Sequence, residues 1–197
     1  MFYEPKTGHP LPHNPFKACV APRPIGWIST LSRDGVVNLA PFSFFNALHD
    51  DPPIVLFSAT GKHIEGSLKD TAINARETGE FVYNMATWDL REQMNLTSAS
   101  VARNVDEFEL AGLEKAPSRI VKPPRVAASP VHLECRTIRT LELSPLNTVV
   151  FGEVVGVHID ERILTEGRID LSKAMPIARL GYMEYSVVRE IFEMNRP

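Results

Sequence analysis

The sequence predicts a mainly β fold, an antiparallel Greek-key barrel with a few inserted helices. Three observations lead there. About six segments show the alternation or the short apolar runs of strands. Only two segments show helical spacing, and they interrupt the strands instead of alternating with them, which excludes a doubly wound parallel sheet. Neither G-x-G-x-x-G nor G-x-x-x-x-G-K-[ST] occurs, so dinucleotide-fingerprint and P-loop architectures find no support. Closing antiparallel strands into a barrel hides the edges an open sheet would leave.

At 197 residues, with 44% apolar and 23% charged residues, the chain is sized and composed as one globular domain with an arm. Pro5, Pro10, Pro12, Pro15, Pro22 and Pro24 fix φ and remove backbone donors, so residues 1–24 are expected to form an extended arm and 25–197 the domain. His9 and His13 are four apart, but Pro10 and Pro12 deny them a common helical face, and no metal pair is expected there.

The organising stretch is 23–58, RPIGWISTLSRDGVVNLAPFSFFNALHDDPPIVLFS. It predicts a strand from Ile25 to Leu31, a hairpin at Arg33-Asp34-Gly35, and a return strand from Val36 to Ala40 broken by Pro41. A second turn at 50–53 precedes a third strand, Ile54 to Phe57. That strand is apolar on both faces and needs cover outside as well as inside, which a second subunit would supply. Ser29, Thr30, Ser32, Asn38, Ser43 and Asn46 alternate with aromatics. The pattern reads either as satisfied strand hydroxyls or as the apolar walls and few polar groups that a flat heteroaromatic ligand requires.

Ser67 and Asp70 stand at capping-box spacing and Gly79 at a helix stop, with Leu68, Ala72 and Ala75 or Ile73 as the buried stripe. Lys69 and Thr71 then fall in the first turn beside unpaired N–H groups, as a phosphate holder or as an ordinary cap. Glu80 to Ala86 reads as a strand. A helix is expected from Trp88, on Leu90, Met94, Thr97 and Val101. Residues 103–125, with Pro117, Pro123 and Pro124, read as an irregular excursion.

Val131 to Leu143 is a strand with Val131, Leu133, Cys135, Leu141 and Leu143 on one face and His132, Glu134, Arg136, Thr140 and Glu142 on the other. After a turn at 144–147, Thr148 to Asp160 alternates with Val149, Phe151, Val155, Val157 and Ile159 inside. Glu153 breaks that face, where the strand meets a polar pocket or a partner. Periodicity leaves 177–194 open between a loop with a closing strand and a helix.

Several function classes lose support. A net charge of −3 lacks the basic excess of a nucleic-acid binder. No apolar run reaches the roughly 20 residues of a membrane span, and the N-terminus has no signal-type apolar core. Cys19 and Cys135 form no C-x-x-C and read as reduced thiols of a cytoplasmic protein. No G-x-S-x-G, H-E-x-x-H or other catalytic or metal-ligating set occurs, and Asp50-Asp51 read as turn formers. A chain without its own catalytic side chains is an enzyme only if a cofactor carries the chemistry.

PRPIGWISTLSRDGVVNLAPFSFFN, DPPIVLFS and KDTAINARETGEFVYN, in that order, resemble the flavin reductase-like FMN-binding split-barrel family of the flavoredoxin type. The resemblance covers about residues 20–100 and resumes at Arg179 to Tyr182, RLGY. It implies a homodimer with FMN near the subunit interface and an oxidoreductase passing hydride or electrons between NAD(P)H and flavin or an acceptor. Carried onto this chain, Trp27, Ser29 and Thr30 lie along the flavin. Phe44, Phe45 and Asn46 wall the ring and bond its edge, and Ser58 lies near the ribityl chain. Lys62, Lys69, Asp70 and Thr71 surround the phosphate, Asp70 by capping more than by contact. Backbone N–H groups between Pro41 and Asn46 serve the charge developing on the ring. Arg179 meets the anionic part of the nicotinamide donor or another acidic substrate, or else makes a structural salt bridge. The alternatives are an FMN carrier that does not itself oxidise nicotinamide, and a haem- or pyridoxal-phosphate-handling barrel of the same architecture.

Overall fold

A computed structural model describes residues 1–196. The strands are β1 (Gly26–Leu31), β2 (Val37–Phe42), β3 (Phe45–Asp50), β4 (Pro53–Thr60), β5 (Glu80–Met85), β6 (Val131–Ser144) and β7 (Asn147–Ile159). They form one seven-stranded sheet in the order β2-β1-β5-β6-β7-β4-β3, antiparallel throughout. The ladder ends at β2 and β3, which only Ser43 and Phe44 join in sequence. The expected mainly β Greek-key fold is therefore present as a barrel split along that seam. Helices α1 (Asp70–Thr78), α2 (Arg91–Leu96) and α3 (Glu107–Leu110) are insertions. Strands Ile177–Arg179 and Tyr185–Val187 complete a small second sheet with Arg23–Pro24.

Two buried clusters flank the sheet. Trp27, Leu39, Met94, Phe108 and Val126 pack on one side. Ile28, Val55, Phe57, Phe81 and Val150 pack on the other, closed by Ala72 and Ala75 of α1. Gly26 is required for packing: a Cβ there would come within 2.5 Å of the Phe45 ring.

Several expectations need correction. Pro41 does not break its strand; β2 runs through it to Phe42, paired with Trp27. A proline is tolerated because β2 is an edge, where the missing N–H faces no neighbour. Beyond it β3, which sequence patterning passed over, starts at Phe45. The hairpin loop holds Gly35 at φ 84°, the left-handed position such a loop reserves for glycine. The helix expected from Trp88 starts only at Arg91 and ends at Leu96. The excursion holds α3 and a two-strand ladder, Lys115–Ala116 with Arg125–Val126. The proline-rich arm includes a helical turn, Phe16–Cys19.

The faces of the long hairpin are also revised. Val157 and Ile159, expected inside, are 58% and 41% exposed, and on the partner strand Leu141 and Leu143 are 40% and 65% exposed. The strands outrun the core at both ends. On the supposedly polar face His132 and Glu134 are buried, at 3% and 0% exposure. Glu134 accepts the backbone N–H groups of Arg119 (2.8 Å), Ile120 (2.6 Å) and Val121 (2.9 Å), and His158 Nε2 at 2.5 Å. Burial alone would raise its pKa, but these donors hold it down to about 2. His132 Nε2 donates to Val126 O (2.8 Å), and burial, aided by the Arg125 guanidinium, pushes it down to about 4. The two side chains moor the excursion to the barrel.

Both groups bind protons more readily in the unfolded chain. Stability therefore falls on acidification, between about pH 6.5 and 4 for His132 and about 4.5 and 2 for Glu134. The expected loss through His132 is up to about 3 kcal/mol, from about 1.4 kcal/mol per pKa unit. Urea unfolding at pH 7 and pH 4 measures it. His132→Asn should flatten the slope over that interval; an unchanged slope would assign it elsewhere.

Candidate functional site

A cavity of about 180 Å³ lies between edge strand β2, the start of α1 and the turn after α2. Asn38, Pro41 and Phe42 line it from β2, and Lys69, Asp70 and Thr71 from the helix start. Ala40, Thr60, His63, Glu107 and residues 97–101 complete it. The structure thus joins the expected phosphate end to the Pro41–Phe42 segment, which lie far apart in sequence.

The helix start differs from the predicted capping box. Lys69, not Ser67, is the N-cap, with no side-chain cap bond. Gly66 and Ser67 adopt φ 88° and 62°, and Ser67 Oγ accepts from Arg103 Nη2 at 2.8 Å. Asp70 spends its carboxylate on His63 Nε2 (3.1 Å) and on the Arg103 guanidinium instead of reaching back to the chain. Its charge is thereby compensated at the cavity edge. His63 Nδ1 accepts the Glu65 N–H at 3.1 Å, which leaves the proton on Nε2 facing Asp70. Burial, then Arg103, lowers the His63 pKa, so the ring is neutral at pH 7. Gly79 ends the helix at φ 74°, as expected.

Ala72 and Ile73 N–H groups both donate to Lys69 O, so the N–H groups of Asp70 and Thr71 lie ahead of the first intrahelical bonds. Among the described residues, Lys69 has no carboxylate within 4 Å. A free ammonium, two free N–H groups and a compensated Asp70 fit an anionic group such as a phosphate monoester.

Behind them runs a buried relay. Thr71 Oγ1 donates to Asn38 Oδ1 at 2.6 Å, and Asn38 Nδ2 donates to Glu107 Oε1 at 2.9 Å. Leu39 N–H donates to Glu107 Oε2 at 3.0 Å. Burial raises the Glu107 pKa, against the opposing pull of those donors. Asn74 Nδ2 reaches Thr30 Oγ1 at 3.1 Å, tying α1 to β1.

The other expected residues separate into groups. Trp27, Ser29 and Thr30 are fully buried and offer no surface to a ligand. Trp27 Nε1 donates to Thr97 Oγ1 (2.9 Å) and so anchors one cavity wall; Ser29 Oγ donates to Pro124 O (2.5 Å). Phe45 stacks on Tyr83, with centroids 4.8 Å apart and planes 3° apart, and Phe44 lies 6.0 Å from the Arg23 guanidinium. Both sit at the seam, outside the cavity lining. Asn46 is exposed and its Oδ1 accepts Ala47 N–H (2.9 Å). Ser58 Oγ accepts from Asn147 at 3.0 Å, and Lys62 stands exposed in the 61–69 loop. Arg179 lines a second cavity that shares no residue with the first.

Sequence reasoning missed His63, Arg103, Glu107 and the 97–101 wall. The Asp106 N-cap of α3, which accepts Phe108 N–H at 2.9 Å, was a readable signal. The pairing of Glu107 with β2 across 68 residues left none. Among the described residues no metal-ligating cluster occurs, and no helix is long and apolar enough to cross a membrane.

Comparison with known proteins identifies the architecture. The model of the flavin reductase like domain matches residues 19–184. An uncharacterized protein of Aquifex aeolicus is 40% identical over 167 residues, 84% of each chain. The crystal structure of nitrilotriacetate monooxygenase component B from Bacillus cereus superimposes with a TM-score of 0.85 at 30% identity, covering 95% of this chain and all of that one. That of the 2-nitrobenzoate 2-nitroreductase of Pseudomonas fluorescens gives 0.83 at 29% identity, covering 92% and 88%.

Removing the relay's carboxylate leaves a buried N–H and amide unpaired. Glu107→Ala should destabilise the fold by roughly 2–4 kcal/mol, read from urea midpoints. A loss under about 0.5 kcal/mol would show that water replaces the carboxylate at no cost.

Proposed function

Since the chain belongs to the flavin reductase-like family, we propose that it binds FMN and works as an oxidoreductase between NAD(P)H and the flavin or an acceptor. The observation that carries this reading is the anion-ready start of α1 beside the phenylalanine-lined seam. Bound there, FMN would supply a centre that exchanges hydride with a nicotinamide.

The chain's own residues have distinct roles in this reading. Lys69 and the Asp70 and Thr71 N–H groups hold the phosphate. Arg103 and His63 keep the Asp70 charge from repelling it. Thr71 commits its hydroxyl proton to Asn38, so it fixes the helix start and offers the ligand only oxygen lone pairs. Lys62 closes the phosphate end from the loop, and Ser58 with Asn147 flanks the ribityl chain.

Phe44, Phe45 and Asn46 wall the ring, and backbone N–H groups between Phe42 and Asn46 face its polar edge; Pro41 has none to give. Trp27, Ser29 and Thr30 act from behind, holding the walls in place. Arg179 receives an acidic substrate in the second cavity.

A homodimer completes the proposal. Ile138, Leu141, Leu143 and Leu146 expose 40–65% of their surface around the β6–β7 hairpin, an apolar patch that a second copy would cover.

An FMN titration followed by absorbance tests the reading. Lys69→Ala should weaken FMN by roughly 1.5–3 kcal/mol and leave riboflavin, which lacks the phosphate, unchanged. Equal losses for both ligands would place the phosphate elsewhere. Added anaerobically, NADH or NADPH should bleach the bound flavin. Flavin that binds but reduces only with a protein donor would favour the carrier.

A further inference from the structure

The second cavity has about 460 Å³ of space and a chemistry unlike the first. Its floor is apolar: Met94 and Ile177 are buried, and Val187 packs beside them. Its walls are the Trp88 indole and the Tyr185 phenol.

Three guanidiniums crowd these rings. Arg91 and Arg189 lie 4.1 and 4.9 Å from the Trp88 centroid, and Arg179 lies 4.4 Å from that of Tyr185. Glu92, 3.4 Å away, answers Arg91. Arg179 and Arg189 have no carboxylate within 4 Å among the described residues. Arg179 donates to Tyr185 Oη and Tyr182 O, neutral acceptors that fix its plane without cancelling its charge. Arg91 and Arg179 line the pocket while Arg189 stands beyond the lining, and with Arg91 answered by Glu92 the Arg179 guanidinium is the positive charge left over at an apolar pocket.

We infer that this cavity binds an aromatic carboxylate, its ring between Trp88 and Tyr185 over Met94 and its carboxylate on Arg179. An inorganic anion would waste the apolar floor, and a neutral ring would leave Arg179 unanswered. The volume is ample for a single substituted ring. No lining residue is shared with the anion-ready cavity, so the site stands whether or not FMN occupies the other. It narrows the role proposed for Arg179 to one ligand class.

Of the chain's two tryptophans, Trp27 is fully buried and Trp88 lines this cavity, so indole fluorescence reports the site. Benzoate titrated into the purified protein should quench it saturably. Benzamide, its neutral counterpart, should bind at least about tenfold more weakly. Arg179→Gln should weaken benzoate about tenfold and leave both benzamide and FMN titrations unchanged.

Benzoate binding no tighter than benzamide overturns the assignment, and that comparison needs no variant. So does benzoate affinity unaltered in folded Arg179→Gln, or displacement of benzoate by FMN. An FMN titration on the same protein separates failure here from failure of the flavin reading.

Discussion

The site depends on one buried carboxylate. Strand β2 is an edge, and the outward N–H of Leu39 lacks a neighbouring strand to receive it. Glu107 takes that N–H with one oxygen and the Asn38 amide with the other. A carboxylate buried at 5% exposure is costly alone and tolerable only when its oxygens are occupied. The bargain holds in both directions: the edge strand is satisfied, and α3 with the excursion it begins is pinned to the barrel. Asn38, oriented by Glu107, receives the Thr71 hydroxyl and so sets the first turn of α1 against β2. The position of the Asp70 and Thr71 N–H groups at the first cavity follows from that contact.

Much of this was legible in the sequence, for local reasons. Alternation marked the long strands, Gly79 marked the end of α1, and Asp34-Gly35 marked a hairpin. The Lys69–Thr71 segment could be placed at a helix start because caps and stops act over a few residues. What escaped reading was set by tertiary context. Pro41 looked like a strand breaker because its tolerance depends on β2 being an edge, which only the sheet order decides. Glu134 gave no sign of its burial because its partners are backbone groups of a loop with no pattern of its own. Ser67 looked like a cap, but Arg103, 36 residues on, claims its hydroxyl and, with His63, the carboxylate of Asp70.

Residues read as ligand contacts and residues that hold those contacts in place prove hard to separate by motif alone. Trp27, Ser29 and Thr30 belong to the most recognisable motif of the chain, yet they are sealed in the core. They bond to Thr97, Pro124 and Asn38, and so shape the walls from behind. The exposed groups that could touch a ligand lie instead in short, irregular pieces: the loop ahead of α1, the turn after α2 and the link between β2 and β3. The barrel supplies rigidity, and the pieces inserted into it supply the chemistry.

The seam itself has a consequence for self-association. An open barrel exposes two margins on which a foreign strand could grow, the usual route to fibrils and domain exchange. Here each margin is blunted. Along one, Leu39 has given its N–H to Glu107 and Pro41 has none. Along the other, the Ala47 N–H is claimed by the Asn46 side chain, and the register shifts between Ala47 and His49. Neither margin offers an unbroken template, so the molecule can keep its seam open without inviting other chains to polymerise along it.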